Sequence, residues 1–184
     1  MATARLFVAL APAPAVRAEL GALADSLAGV RWTPAENLHL TLRFIGETPP
    51  EKQAAIVTAL DRVSVQRFIL PVAGVGVFPS RGPAKVLWAG VGTGHTRLYQ
   101  LRKQVDEALL AVDTALDVHH FHPHFTLGRL NEDCDRKALA KFLERQAAFE
   151  APPFRVEAFD LMASELPPGR PPAYRVMRSF ALRE

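Results

Sequence analysis

His39-Leu40-Thr41-Leu42 and His124-Phe125-Thr126-Leu127 are one four-residue pattern written twice, a histidine and a threonine separated by one apolar residue and followed by another. Side chains alternate faces along a β-strand, so each histidine shares a face with its threonine. Leu40, Leu42, Phe125 and Leu127 then turn toward a core. The second copy lies 85 positions after the first, close to half of the 184 residues, as expected if two similar lobes each supply one strand. Imidazole exchanges protons near neutral pH and a hydroxyl can donate to an anionic oxygen. Two such pairs facing one cleft suit phosphodiester chemistry, with one histidine as acid and the other as base.

Working outward, the first motif belongs to a strand over 38–45. Alternation puts Leu38, Leu40, Leu42 and Phe44 on the core side and His39, Thr41 and Arg43 on the other, which makes Arg43 a candidate substrate ligand. The second strand runs over 121–129 and ends on Gly128-Arg129. Further strands are expected over 5–11, 68–78, 85–91, 154–164 and 174–182, and helices over 14–28, 51–63, 95–111 and 135–145. The longest helix carries Leu98, Leu101, Val105, Leu109 and Val112 on one stripe, and Pro14 suits a first helical turn, where a missing N–H costs nothing. Helices are mixed with hairpins and do not alternate strictly with strands, so the class is α+β with antiparallel sheets. No linker or low-complexity tract divides residues 1–184, which read as a single domain.

Composition narrows the function classes. Hydrophobic residues make up 49% and charged residues 22%, an ordinary globular balance, and the formal charge of +3 permits an anionic ligand without demanding a nucleic acid. Cys134 is the single cysteine, which excludes an internal disulfide framework and fits a reducing cytoplasm. Its acidic neighbours Asp133 and Asp135 disfavour a thiolate nucleophile. The apolar run 6–11 is short and broken by Pro12 and Pro14, hence a core strand rather than a leader, and no other stretch is long enough to span a bilayer. The run His119-His120-Phe121-His122-Pro123-His124 could hold a transition metal. It lacks an accompanying carboxylate or cysteine, and a metal would leave Thr41, Thr126 and the repeat unexplained, so no metal or cofactor is expected. Phosphate-loop, dinucleotide and serine-hydrolase signatures are absent.

Together with their flanks, Asn37-Leu38-His39-Leu40-Thr41-Leu42-Arg43-Phe44-Ile45-Gly46 and Phe121-His122-Pro123-His124-Phe125-Thr126-Leu127-Gly128-Arg129, the motifs resemble those of the two-histidine phosphoesterase superfamily. More closely, the chain is similar to the RNA 2′,3′-cyclic phosphodiesterases, also called 2′-5′ RNA ligases. Arg5-Leu6-Phe7-Val8-Ala9-Leu10, Val86-Leu87-Trp88-Ala89-Gly90 and Leu161-Met162-Ala163-Ser164 extend the similarity over nearly the whole chain. The resemblance implies a bilobal fold with pseudo-twofold symmetry around a central cleft, metal-independent hydrolysis of cyclic phosphate ends to 2′-phosphomonoesters, and RNA ends or nucleotides as partners, with no membrane and no obligate protein partner. It implies His39 as proton donor, His124 as proton acceptor, Arg129 as a phosphate ligand and Phe44 as an aromatic near the base. Two other outcomes belong with it: ligation of a cyclic end to a 5′-hydroxyl, and a nucleotide- or RNA-binding module without turnover.

Overall fold

The computed structural model describes residues 3–24, 27–93, 95–115, 117, 120–165 and 172–184. In chain order the elements are β1 (Ala4–Leu10), α1 (Pro14–Ala22), β2 (Val30–Trp32), a 3-10 turn (Ala35–Asn37), β3 (Leu40–Thr48), α2 (Pro50–Leu60), β4 (Phe68–Phe78), β5 (Val86–Val91), α3 (Thr96–Leu110), β6 (His124–Leu130), α4 (Arg136–Arg145), β7 (Glu150–Val156), β8 (Ala158–Glu165) and β9 (Ala173–Ala181). Pro14 opens α1 as expected. Asp135 caps α4 by accepting the Lys137 and Ala138 N–H groups, an arrangement worth about 1 kcal/mol.

All the strands join one antiparallel sheet in the order β7-β4-β5-β6-β3-β1-β8-β9, with β2 added on β6. Its midpoint is the pair that carries the two motifs. β3 and β6 meet there at a single bridge, Leu40 to Phe125, and these two residues are themselves 85 positions apart. On either side the sheet repeats, β6-β5-β4-β7 mirroring β3-β1-β8-β9. Chain halves and lobes do not coincide: β4 and β5, from the first half, lie on the β6 side of that midpoint, and β8, from the second, pairs with β1 on the β3 side.

One face of the sheet is apolar and carries the helices. On it Val8 and Leu10 of β1 join Leu40, Leu42, Leu87, Ala89, Phe125 and Leu127 in a single cluster that also takes in Leu98, Leu101, Val105 and Leu109 of α3. Each such buried aliphatic or aromatic side chain is worth roughly 1.5–3 kcal/mol, so this layer holds the two lobes together. The opposite face carries the motif histidines and threonines.

Two expectations need correction, and one strand is new. The first helix stops at Ala22 rather than at 28. The strand expected over 154–164 is two strands, β7 and β8, because the chain passes at Glu157 from a partner in one lobe, β4, to a partner in the other, β1. β2, only three residues long, was too short for any periodicity to reveal.

Candidate active site

Leu40 and Phe125 are both fully buried and face each other on the core side, so His39, Thr41, His124 and Thr126 all emerge on the opposite face. β3 and β6 are bridged at that pair, and His39 and His124 lie close enough for charge on His124 to disfavour protonation of His39. The two imidazole–hydroxyl pairs therefore meet along one seam, related by the pseudo-twofold axis.

Each imidazole is oriented by the backbone two residues upstream. His39 Nδ1 lies 2.7 Å from the Asn37 carbonyl, and His124 Nδ1 lies 2.7 Å from the His122 carbonyl. A carbonyl can only accept, so Nδ1 carries the proton and Nε2 is left as the reactive nitrogen on both rings. Asn37 is itself tied down, its Nδ2 donating to the Pro172 carbonyl at 3.2 Å. Burial pushes both imidazoles below the usual histidine pKa. For His39 the carbonyl bond opposes that fall and the nearby His124 adds to it; for His124 its own carbonyl bond opposes the fall and His122 adds to it.

Aromatic rings wall the seam. The His39 ring packs at 5.0 Å against Phe7 and edge-on at 5.0 Å against Tyr174, while His124 packs edge-on at 5.1 Å against Phe78. Phe78 in turn meets Trp88 at 5.2 Å. A Cβ on Gly76 would come within 2.3 Å of the Trp88 indole, so glycine there lets the ring lie flat across β4. Phe7, Tyr174, Phe78 and Trp88 went unrecognised as site residues in the sequence, since nothing local to them shows that they converge on the histidines.

Strict alternation fails immediately after each motif. In β3, Thr41 pairs with Ala9 but Arg43 pairs with Val8, so Leu42 is an extra residue. In β6, Thr126 pairs with Trp88 but Gly128 pairs with Leu87, so Leu127 is extra. These β-bulges, again 85 positions apart, exchange the faces of the residues that come next, Arg43 and Phe44 in β3 and Gly128 and Arg129 in β6. Phe44, expected in the core, is 64% exposed on the motif face and lies 6.2 Å from Phe7; Arg129 is likewise delivered to that face and exposed.

Arg43 moves the other way. The expectation that it faces the substrate is overturned, for it is 2% exposed and sits in a buried ion cluster behind the sheet. Its guanidinium lies 3.2 Å from Asp106 and 3.9 Å from Asp117 and donates to the Ala115 carbonyl. Arg102 completes the cluster at 2.7 Å from Asp106 and 3.2 Å from Asp117, and donates to the carbonyl of the bulged Leu42. At the equivalent place in the second lobe stands Gly128, where a Cβ would meet Val30 Cγ1 at 2.8 Å and the Arg31 carbonyl at 3.0 Å. There β2 fills the space that Arg43 fills in the first lobe.

Among the described residues no group of three or more histidine, cysteine, aspartate or glutamate side chains is placed to hold a metal ion. His122 and His124 have ring centroids 6.3 Å apart and both pack on Phe78; His119 lies outside the described residues. Cys134 behaves as expected, burial and the flanking Asp133 and Asp135 carboxylates raising its thiol above the usual range. A groove of about 500 Å³ between α2 and α3 and a hollow of about 790 Å³ around Arg67, His95, Arg97 and Arg155 contain no motif residue. No described helix is long and apolar enough to cross a membrane.

Known proteins are similar to this chain in sequence and in fold. The model of the LigT-like phosphoesterase family matches twice, over residues 10–88 and again over 91–173, with one histidine–threonine strand in each match. An RNA 2′,3′-cyclic phosphodiesterase of Aeropyrum pernix is 34% identical over 151 residues, covering 80% of this chain and 86% of that one. One from Thermus thermophilus is 35% identical over 192 residues, covering 97% and 90%. Among solved structures, E. coli LigT complexed with 3′-AMP superposes with a TM-score of 0.81 at 26% identity, covering 99% of both chains. Two half-length matches to a single family model, each containing one histidine–threonine motif, show that this chain belongs to the LigT-like phosphoesterases.

Proposed function

We propose that the chain is an RNA 2′,3′-cyclic phosphodiesterase, opening the cyclic phosphate at an RNA end to a 2′-phosphomonoester by acid–base catalysis from His39 and His124, without a metal. The observation that carries this reading is the paired geometry itself: two imidazoles, each with Nδ1 bound to a carbonyl and so with Nε2 as the reactive nitrogen, carried by the two strands that meet at the middle of the sheet. The names of the relatives supply the substrate class.

In the reaction, His124 Nε2 takes a proton from water as the oxygen attacks phosphorus. The P–O3′ bond breaks, and protonated His39 delivers its proton to the departing O3′, leaving the phosphate on O2′. Each proton transfer of this kind contributes about 10²–10⁴ in rate. Thr41, Thr126 and Arg129 donate to the non-bridging oxygens as charge builds in the five-coordinate transition state. Phe44, exposed beside Phe7, offers a stacking surface for the terminal base. Arg43 takes no part in contacting substrate. Because each half contributes one histidine, residues 1–184 act as one bilobal unit, and the single cysteine, Cys134, is in keeping with a reducing cytoplasm. The reverse reaction, with a 5′-hydroxyl in place of water, uses the same groups.

The deciding experiment is turnover of a nucleoside 2′,3′-cyclic monophosphate and an RNA with a cyclic end, in EDTA, by wild type, His39→Ala and His124→Ala, with the product isomer identified by phosphorus NMR. We expect a 2′-phosphate from wild type and a loss of at least 100-fold in either variant. Activity retained in both variants, or abolished in wild type by EDTA, refutes the mechanism.

A further inference from the structure

Arg129 has a neighbour that neither the motifs nor the repeat singles out. β2 pairs with the end of β6, and in that ladder Arg31 stands directly opposite Arg129. Directly opposed residues project to the same face, and Arg129 pairs on its other side with Val86, itself opposite Phe78, the ring that packs on His124. Arg31 therefore extends a row that begins at the catalytic wall. Val30 and Trp32, on either side of it, turn inward: Val30 Cγ1 closes over Gly128, and Trp32 packs at 5.9 Å on Phe142.

Like charges directly opposed across a strand pair are destabilising. Here both guanidinium groups are exposed, and no carboxylate pairs with either among the described residues. In the cluster behind the sheet, by contrast, Asp106 and Asp117 answer Arg43 and Arg102. An unbalanced pair on the substrate face is suited to two negative charges set one strand spacing, roughly 5 Å, apart.

Substrate chemistry says what the second charge is. A 2′,3′-cyclic phosphate occupies both the 2′ and 3′ oxygens of the last nucleoside, so any other phosphate within reach must sit on its 5′ oxygen. We propose that Arg31 binds this internucleotide phosphate and makes the enzyme prefer a cyclic end on an RNA chain to a free cyclic mononucleotide. Arg31 thus determines specificity and touches no reacting atom. The assignment rests on the function proposed above and on Arg129 holding the reacting phosphate.

The test compares kcat/KM for a dinucleotide ending in a 2′,3′-cyclic phosphate with that for a nucleoside 2′,3′-cyclic monophosphate lacking a 5′-phosphate, in wild type, Arg31→Ala and Arg31→Lys. Wild type is expected to favour the dinucleotide by about tenfold or more. Arg31→Ala should collapse that ratio toward one through KM, with a shallower dependence on salt for the dinucleotide alone, and Arg31→Lys should restore part of it. An equal loss on both substrates, or a ratio unchanged in Arg31→Ala, overturns the inference while leaving the hydrolytic function standing. A wild type that turns over neither substrate overturns both.

Discussion

Replacing Arg43 by leucine separates two accounts of the first motif strand. Strict alternation makes Arg43 a substrate ligand, so its loss would weaken catalysis and leave the fold intact. The bulge at Leu42 puts it instead in the buried cluster with Asp106, Asp117 and Arg102. Removing it leaves two carboxylates facing a single guanidinium. Breaking a buried ion pair from one side costs about 3–5 kcal/mol. Asp106 and Asp117 keep 27% and 16% side-chain exposure, so water relieves part of that penalty and the lower end, about 3 kcal/mol, applies. For a domain of this size each kcal/mol lowers the melting temperature by about 2–4 °C, which gives a fall of roughly 6–12 °C. The assay is thermal unfolding by circular dichroism, with kcat/KM on a cyclic mononucleotide measured at about 15 °C, well below the transition. We expect the large drop in Tm and a kcat/KM within about threefold of wild type. A Tm within about 2 °C of wild type together with a hundredfold loss of kcat/KM would put the guanidinium on the substrate and refute the reasoning.

Phe44→Ala should show the opposite pattern, a raised KM with Tm nearly unchanged, because the ring is mostly exposed; a multi-degree loss of Tm would return it to the core. Both imidazoles lie below their usual pKa, and the acid must be protonated, so kcat/KM should fall as pH rises above about 6.5; a plateau from pH 6 to 9 would contradict paired acid and base. The same shifts carry a stability consequence. With the folded pKa depressed, the unfolded chain binds more protons as pH falls through about 6.5, so stability present at neutral pH is lost on acidification. Chemical denaturation at pH 7.5 and pH 5.5 measures this, and His39→Gln should flatten the dependence. Finally, Gly128→Ala drives a Cβ into Val30 and the Arg31 backbone and should cost about 1–3 kcal/mol, read as a lower Tm.

Much of the candidate site is legible in the linear chain, because the chemistry is local. A histidine and a threonine two residues apart share a strand face whatever the strand pairs with, and the repeated spacing ties one copy to the other. The α3 stripe is equally plain: Leu98, Leu101, Val105 and Leu109 recur at helical period, and all four are fully buried. Periods of two and 3.6 residues follow from backbone geometry alone.

Tertiary structure decided what lies beyond that reach. Whether a strand keeps alternating depends on its partner, and the partners of β3 and β6 impose bulges that send Arg43 inward and bring Phe44 and Arg129 onto the motif face. Tyr174 and Phe7 reach His39, and Phe78 reaches His124, only once strands distant in the chain have paired, and Arg31 stands beside Arg129 only because a three-residue strand docks there. Residue order encodes which groups share a face within one strand, whereas hydrogen bonding between strands sets register, and a register shift of a single residue decides which side chains meet the substrate and which meet the core.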